Sequence, residues 1–333
     1  MGISKIYYIE SDSFDPYYNL ALEEKLLDIC KEEDLIFYLW QNDNTVVIGK
    51  NQSAYKECNI DLMEKDGVKL SRRISGGGAV YHDLGNLNFT FVMHRNNYDL
   101  NRQLTVIKEA LNKHGAYAYF SGRNDILIGE KKISGNAFYL TDKACYHHGT
   151  ILINSDLEKL SKYLQVSKSK LKANGVNSIK SRVDNVSTFV KDITIETVKN
   201  DLKEMVSKIY WLPIEEISIE DVNRDKYIDK NWLFRKEVES NYSLSNKFSW
   251  GEILMKFMIV DNSIENINVF SDSMDINISE QIEEVMVNQR FNFSLLDKFN
   301  MFEEPYKSDL KNYFKEVFNG WYSYYRIRPC RLY

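Results

Sequence analysis

The sequence predicts an α+β protein in two parts, and three features carry that reading. Short runs rich in β-branched and aromatic residues, such as Leu35–Trp40 and Thr45–Ile48, read as strands. Amphipathic stretches such as Val198, Leu202, Met205 and Ile209 read as helices scattered among them. From Glu215 to Lys247 charge dominates and periodicity fades, so the connection between a larger domain (1–246) and a smaller one (247–333) is expected near its end. A length of 333 residues suits that division.

The chain opens with an expected strand, Lys5–Glu10, and a helix that Asp15 caps and Pro16 starts. Tyr17, Leu20, Leu27 and Cys30 would share its apolar face. Strands Leu35–Trp40 and Thr45–Ile48 follow, joined through the turn residues Gln-Asn-Asp-Asn. Asn88–Met93 reads as a strand, and Ile107, Ala110, Leu111 and His114 mark a helix that Gly115 ends. Tyr117–Phe120 is another strand. Then Asp125–Ile128 and Lys131–Ser134 flank Gly129-Glu130 in a type II′ hairpin. That turn sets Lys132 opposite Leu127 and Ser134 opposite Asp125, all on one face. Gly149–Ile153 is apolar enough for a buried strand, and Ser155 to Glu158 forms a capping box. Residues 166–187 read as a loop. Phe248–Val260 and Ile264–Phe270 form a strand pair in the smaller, α+β unit. Helices around Ile282, Val285 and Met286 and around Leu310, Tyr313, Phe314 and Val317 complete it.

Hydrophobic content of 44% against 27% charged residues is the balance of a chain with a real core. The formal charge of −5 argues against a general nucleic-acid role. No long apolar run suggests a membrane span, and the first residues are neither a signal nor a transit peptide. The four cysteines form no C-x-x-C pair and fit a reducing, cytoplasmic setting. Five histidines, two of them adjacent at 147 and 148, make imidazole metal catalysis a poor prospect.

RRISGGGAVYHDLGN, from Arg72 to Asn86, is the densest chemistry in the chain. Gly76, Gly77 and Gly78 leave bare peptide whose N–H groups can converge on an anion, or on which a ligand can lie flat. A mobile surface turn is the plainer explanation. The flanking Arg72, Arg73, Ser75, Tyr81 and His82 speak against it. No P-loop motif is present. SGRNDILIGEKKISGNAFY gathers Asn124, Asp125, Lys132 and Ser134 about the hairpin, where Lys132 suits a carboxylate or phosphate. Cys145, beside YHHGT, is either a nucleophile or, more commonly, a small buried residue. The loop Ser167–Arg182 carries lysines that either face solvent or close over a triphosphate.

The succession RRISGGGAVYHDLGN, SGRND, KKISGNAFY, HHGT and a lysine-rich loop resembles the lipoate–protein ligase family. DPYYNLALEE and LWQNDNTVVIGKNQ extend the likeness upstream, and FSWGEI with NVFSDSM extends it to the family's accessory domain. The resemblance implies a mixed-sheet α+β catalytic domain of the biotin/lipoate ligase type plus a small C-terminal domain. It implies lipoyl-AMP formation from lipoate and ATP with Mg²⁺, then transfer to a lysine of a carrier domain. The carriers implied are 2-oxoacid dehydrogenase complexes and the glycine-cleavage H protein. Lys132 matches the family's catalytic lysine. The implied lipoate residues are Trp40, Arg73, Ser75, Gly76, Gly77, Gly78, Tyr81, His82, Lys132 and His148. Those implied for ATP and adenylate are Arg73, Gly78, Ala79, Val80, Tyr81, Asn86, Asn124, Asp125, Lys132, Ser134 and Ala137, with Asp125 toward Mg²⁺. The alternatives are an octanoyl or lipoyl amidotransferase working through a cysteine without ATP, a biotin ligase, and a non-catalytic binder of lipoylated domains.

Overall fold

The computed structural model describes residues 2–122, 125–165, 182–235 and 237–327, with side chains as far as residue 320. The chain divides into two compact units, Met1–Arg235 and Lys236–Tyr333. In the first, eight strands form a mixed sheet among the described residues. They are β1 (Lys5–Glu10), β2 (Asp34–Trp40), β6 (Asn86–His94), β7 (Tyr119–Ser121), β8 (Asp125–Ile128), β9 (Lys131–Leu140), β10 (Ala144–Leu152) and β11 (Ile214–Glu216), in spatial order β11-β1-β2-β6-β10-β9-β8-β7. β1 runs parallel to β2 and β11, and the remaining pairs are antiparallel. A second sheet, in order β4-β3-β5, is built from β3 (Thr45–Ile48), β4 (Lys69–Arg72) and β5 (Val80–His82).

One face of the large sheet packs against the helices Leu100–Asn112 and Ile195–Tyr210 through Phe37, Phe89, Phe91, Ile107, Leu111, Leu202 and Val206. Apolar side chains at three- and four-residue spacing on both helices meet there, as the sequence periodicity requires. The other face meets the helix Pro16–Ile29, and this helix departs from expectation. Pro16 starts it as expected, whereas Asp15 takes the cap position without a capping hydrogen bond, its carboxylate meeting Lys69 and Arg224 instead, and the buried side includes Asn19 and Glu23 beside Leu20, Leu22 and Leu26. Tyr17, Leu27 and Cys30 are only half-buried. Polar groups turn inward here because hydrogen-bond partners await them across the sheet.

Two smaller differences have equally local causes. Asp156, not Ser155, caps the helix Leu157–Tyr163, accepting from the amides of Glu158 and Lys159. A register shift in the β8–β9 hairpin pairs Leu127 with Lys132, as expected, but Ile126 with Ser134 and Asp125 with Gly135. The extra residue is Ile133, a β-bulge. Lys132 and Asp125 keep a common face while Ser134 joins the face of buried Ile126. Gly129 takes a φ of +59°, which the turn requires.

The second unit stacks the sheet β12 (Tyr242–Phe248), β13 (Gly251–Val260) and β14 (Ser263–Ser271) on the helices Ile278–Met286 and Tyr306–Ile327. Phe257, Phe291, Phe299, Phe314 and Phe318 fill its core. This unit begins ahead of the expected residue 247, because β12 belongs to its sheet. Strand β12 alternates half-buried and exposed residues, so its polar positions read as part of a linker. No helix among the described residues is long and apolar enough to cross a membrane.

Arg72, fully buried at the end of β4, donates to the carbonyls of Gly49, Lys50, Gln52, Trp232 and Leu233 at 2.7–3.1 Å. Burial pushes its guanidinium down to about 9, so it stays cationic at neutral pH. Replacing it with methionine strands buried carbonyls, each worth about 1–3 kcal/mol when unsatisfied. Arg72→Met is therefore expected to lower the urea midpoint sharply without changing the composition of the apolar core. His147 lies between Phe89, Phe91 and Phe138, hydrogen-bonded to Gln103 and Asn136, and burial pushes it down to about 3. Buried His82 is held equally low, also to about 3. Unfolding releases both to the ordinary histidine value near 6.5. Their contribution to stability is thus complete above that value and is lost as pH falls toward 3. The urea midpoint is expected to drop already between pH ~6.5 and ~5, above the main carboxylate range.

Candidate active site

The site lies between the large sheet and the β4-β3-β5 sheet, and its organising feature is a backbone with little side chain. A Cβ on Gly49 would collide with the carbonyl oxygen of Gly77. Two stretches of chain therefore touch peptide to peptide, and Lys50 N–H donates to Ser75 O at 2.8 Å. Gly77 holds a φ of +87°, a conformation glycine adopts without steric cost. Arg73 shapes the run from beneath. Its guanidinium donates to the carbonyls of Gly76 and Gly78 at 2.7 Å, to Val47 O at 3.3 Å and to Ser75 Oγ at 3.0 Å. In a trans peptide the N–H points opposite to the C=O. Turning these two carbonyls onto Arg73 therefore directs the N–H groups of Gly77 and Ala79 the other way.

A cavity of about 230 Å³ opens beside this loop. Gly78, Ala79, Val80 and Tyr81 wall one side, while Lys132, Ser134, Gly135 and Thr150 wall another. Lys132 Nζ sits 2.7 Å from Asp125 Oδ1. Its backbone is pinned on both sides, paired to Leu127 in β8 and bridged to Val183, with Asp184 N–H donating to Lys132 O at 3.1 Å. An ammonium held by one carboxylate at the rim of a partly apolar cavity suits an anionic ligand.

Behind the cavity a buried polar chain crosses the sheet. Ser75 Oγ meets His148 Nε2 at 2.9 Å, and His148 Nδ1 meets Glu23 Oε1 at 2.8 Å. Thr90 donates to the same Glu23 oxygen at 2.6 Å, and Trp40 Nε1 donates to Thr90 Oγ1 at 3.0 Å. Trp40 also packs edge-on to His82, with ring centroids 6.1 Å apart. The side-chain atoms His82 Nε2, Asn86 Oδ1 and Asn88 Nδ2 are buried and meet no partner among the described residues. Buried polar atoms in folded proteins are nearly always paired, with protein groups or with ordered water.

The structure thus gathers Gly78, Ala79, Val80, Tyr81, Lys132 and Ser134 around one cavity and joins Trp40, Arg73, Ser75 and His148 in the network behind it. Ala137 pairs with His148 across β9 and β10, and Asn86 lies at the start of β6. Asn124 and the loop lysines Lys168, Lys170, Lys172 and Lys180 lie outside the described residues. Glu23, Asn88, Thr90 and Thr150 escaped the sequence reading. The polar positions Asn88 and Thr90, alternating with Phe89 and Phe91 on β6, were the one signal available for two of them. Cys145 is fully buried with its thiol against Met93 O, and burial pushes it up to about 11.

Comparisons with known proteins identify the family. The family profile "Lipoyl protein ligase A/B catalytic domain" matches residues 15–207, and "Bacterial lipoate protein ligase C-terminus" matches residues 237–318. Lipoate-protein ligase A of Blochmanniella floridana is 38% identical over 296 residues, covering 85% of this chain and 88% of that one. The crystal structure of Plasmodium falciparum LipL1 in complex with lipoate superimposes with a TM-score of 0.79 at 30% identity, covering 94% of this chain and 98% of the other. A lipoate-protein ligase A bound with ATP gives a TM-score of 0.60 at 29% identity, covering 70% and 98%. With the glycine run, the hairpin lysine and both domains in place, the chain belongs to the lipoyl protein ligase A/B family and is an enzyme of the lipoate–protein ligase A kind.

Proposed function

We propose that this enzyme activates lipoate with ATP to lipoyl-AMP and pyrophosphate, then passes the lipoyl group to a lysine of a carrier domain. One observation carries the mechanism: the Lys132 ammonium stands at the rim of the cavity walled by Gly78–Tyr81. Attack of the lipoate carboxylate on the α-phosphorus brings two anions together. An ammonium fixed between them offsets the repulsion and stabilises charge on the transferring phosphoryl group. Once the mixed anhydride has formed, the same Nζ–H donates to the acyl carbonyl while the carrier amine attacks. The amine forms an amide to the acyl carbon, AMP leaves with the bond electrons, and the amine releases a proton.

Each group has a place in this reading. Trp40, Ser75, Gly76, Gly77, Tyr81, His82 and His148 receive the acyl group, and Arg73 holds the loop in shape. Ala79, Val80, Asn86, Asn124, Ser134 and Ala137 serve the adenylate. Among the described residues no cluster of three or more His, Cys, Asp or Glu forms a metal cage. Mg²⁺ is held ordinarily by one or two carboxylates plus substrate phosphates, and Asp125 supplies one such carboxylate. Bound there with ATP, the ion would screen the phosphate charge. The carriers that fit are lipoyl domains of 2-oxoacid dehydrogenase complexes and the glycine-cleavage H protein.

Lipoate-dependent exchange of pyrophosphate into ATP tests the first step, and its absence with transfer between carriers intact would replace this reading by the amidotransferase. Losing one preorganised donor costs about 2.7–4 kcal/mol of barrier. Lys132→Ala is thus expected to slow exchange by about 10²–10³-fold, whereas Lys131→Ala leaves it within about twofold. Cys145→Ser is expected to retain both half-reactions, since a buried thiol pushed up to about 11 is a poor nucleophile at neutral pH.

A further inference from the structure

The helix Leu157–Tyr163 runs out into a short tail that is stitched to the segment ahead of Asn59. Asn59 N–H donates to Tyr163 O at 2.9 Å, Cys58 and Leu164 form an antiparallel bridge, and Gln165 N–H donates to Glu57 O at 2.7 Å. The Gln165 side chain is tied to the same segment, its Nε2 donating to Cys58 O at 3.0 Å. Only the amide nitrogen donates to a carbonyl, so the orientation of this carboxamide is determined. One Nε2 hydrogen is used in that bond. The second hydrogen and Oε1 meet no protein partner among the described residues. Gln165 therefore offers one donor and one acceptor side by side, and it is a lining residue of the cavity that holds Lys132.

The lining of that cavity is chemically divided. Lys132, Ser134 and Thr150 supply polar groups, whereas Leu152, Leu160 and Leu164 supply an apolar stretch that runs into Gln165. A nucleotide whose phosphates meet the Lys132 ammonium has the apolar stretch left for its base. We propose that Gln165 is the residue that selects adenine as the base of the nucleotide substrate. The proposal rests on the lipoate-ligase reading for the nucleotide and on hydrogen-bond geometry for the choice of base. The 6-amino group of adenine is flanked by an acceptor nitrogen on each side, N1 and N7. A carboxamide matches either edge with two parallel bonds, Oε1 accepting from the amino group and Nε2 donating to the ring nitrogen. A 6-oxo purine instead sets its carbonyl against Oε1, acceptor against acceptor. The amide cannot turn over to suit it, because Oε1 would then face Cys58 O. Glu57 also lines the cavity, but a carboxylate only accepts and has nothing to donate to N1 or N7.

The test is the nucleotide preference of the full-length enzyme, read by lipoate-dependent pyrophosphate exchange and by calorimetric binding. Wild-type enzyme is expected to prefer ATP to purine riboside triphosphate, which lacks the 6-amino group, by about tenfold in KM with kcat little changed. Inosine triphosphate, with a 6-oxo group, is expected to fare worse than either. Gln165→Leu is expected to weaken ATP about tenfold and to bring ATP and purine riboside triphosphate within about twofold of each other. Unchanged ATP binding in Gln165→Leu overturns the proposal. So does an equal loss for all three nucleotides with their ratios kept, which is the mark of a merely structural role. Two analogues test the second bond with wild-type enzyme alone: 1-deaza-ATP or 7-deaza-ATP is expected to bind about tenfold more weakly than ATP. If both bind as ATP does, the paired contact is overturned. Failure of the wild-type enzyme to exchange pyrophosphate with any nucleotide would instead strike the ligase reading, while the calorimetric ranking of the three nucleotides still decides on Gln165.

Discussion

Two neighbouring arginines hold a stretch of chain that has almost no side chains of its own. Arg72 reaches the carbonyls of 49, 50, 52, 232 and 233, and Arg73 reaches those of 47, 76 and 78. Neither guanidinium has a hydrogen-bonded carboxylate among these partners. Carbonyl dipoles stabilise the buried cations without cancelling their charge, and burial lowers the guanidinium values only to about 9 and 10. The positive charge therefore survives beneath the loop. An enzyme that must bring a carboxylate to a polyphosphate gains from cations committed to architecture whose field still favours anions.

The polar chain from Ser75 through His148, Glu23 and Thr90 to Trp40 is the counterpart on the large sheet. A carboxylate buried there is expensive unless its lone pairs are filled. Glu23 Oε1 is filled by Thr90 and His148, so its helix sits on the sheet in one rotation about its axis. Apolar packing alone would tolerate more than one. The network's cost in stability is offset by a fixed Trp40 ring next to His82 and a fixed Ser75 beneath the glycine run.

Much of the frame was legible in the sequence. Lys5–Glu10, Thr45–Ile48 and Asp125–Ile128 are strands to the residue, since β-branched and aromatic runs bounded by turn residues leave little choice. The glycine run and Lys132 were legible because their local spacing is unusual. The inward face of the first helix was not, because Asn19 and Glu23 look like solvent residues until their partners on β2, β6 and β10 are known. The same holds for Asn42, whose side-chain contacts lie 23 and 40 residues away. The bulge at Ile133 left no trace in a two-residue alternation, and only the pairing with β8 exposes it.

That bulge has a mechanical result. It brings Gly135 beneath the Lys132 side chain, where a Cβ would stand 3.1 Å from both Cε and Nζ. With hydrogen in that place, the amine can recline along its own strand, tethered to Asp125. Its travel to an arriving ligand then needs only rotation about the outer bonds of the side chain, with the strand stationary. Catalytic reach is thereby stored in a flexible tail rooted in a rigid hairpin, and a methyl group at 135 would press on the resting amine and nudge it aside.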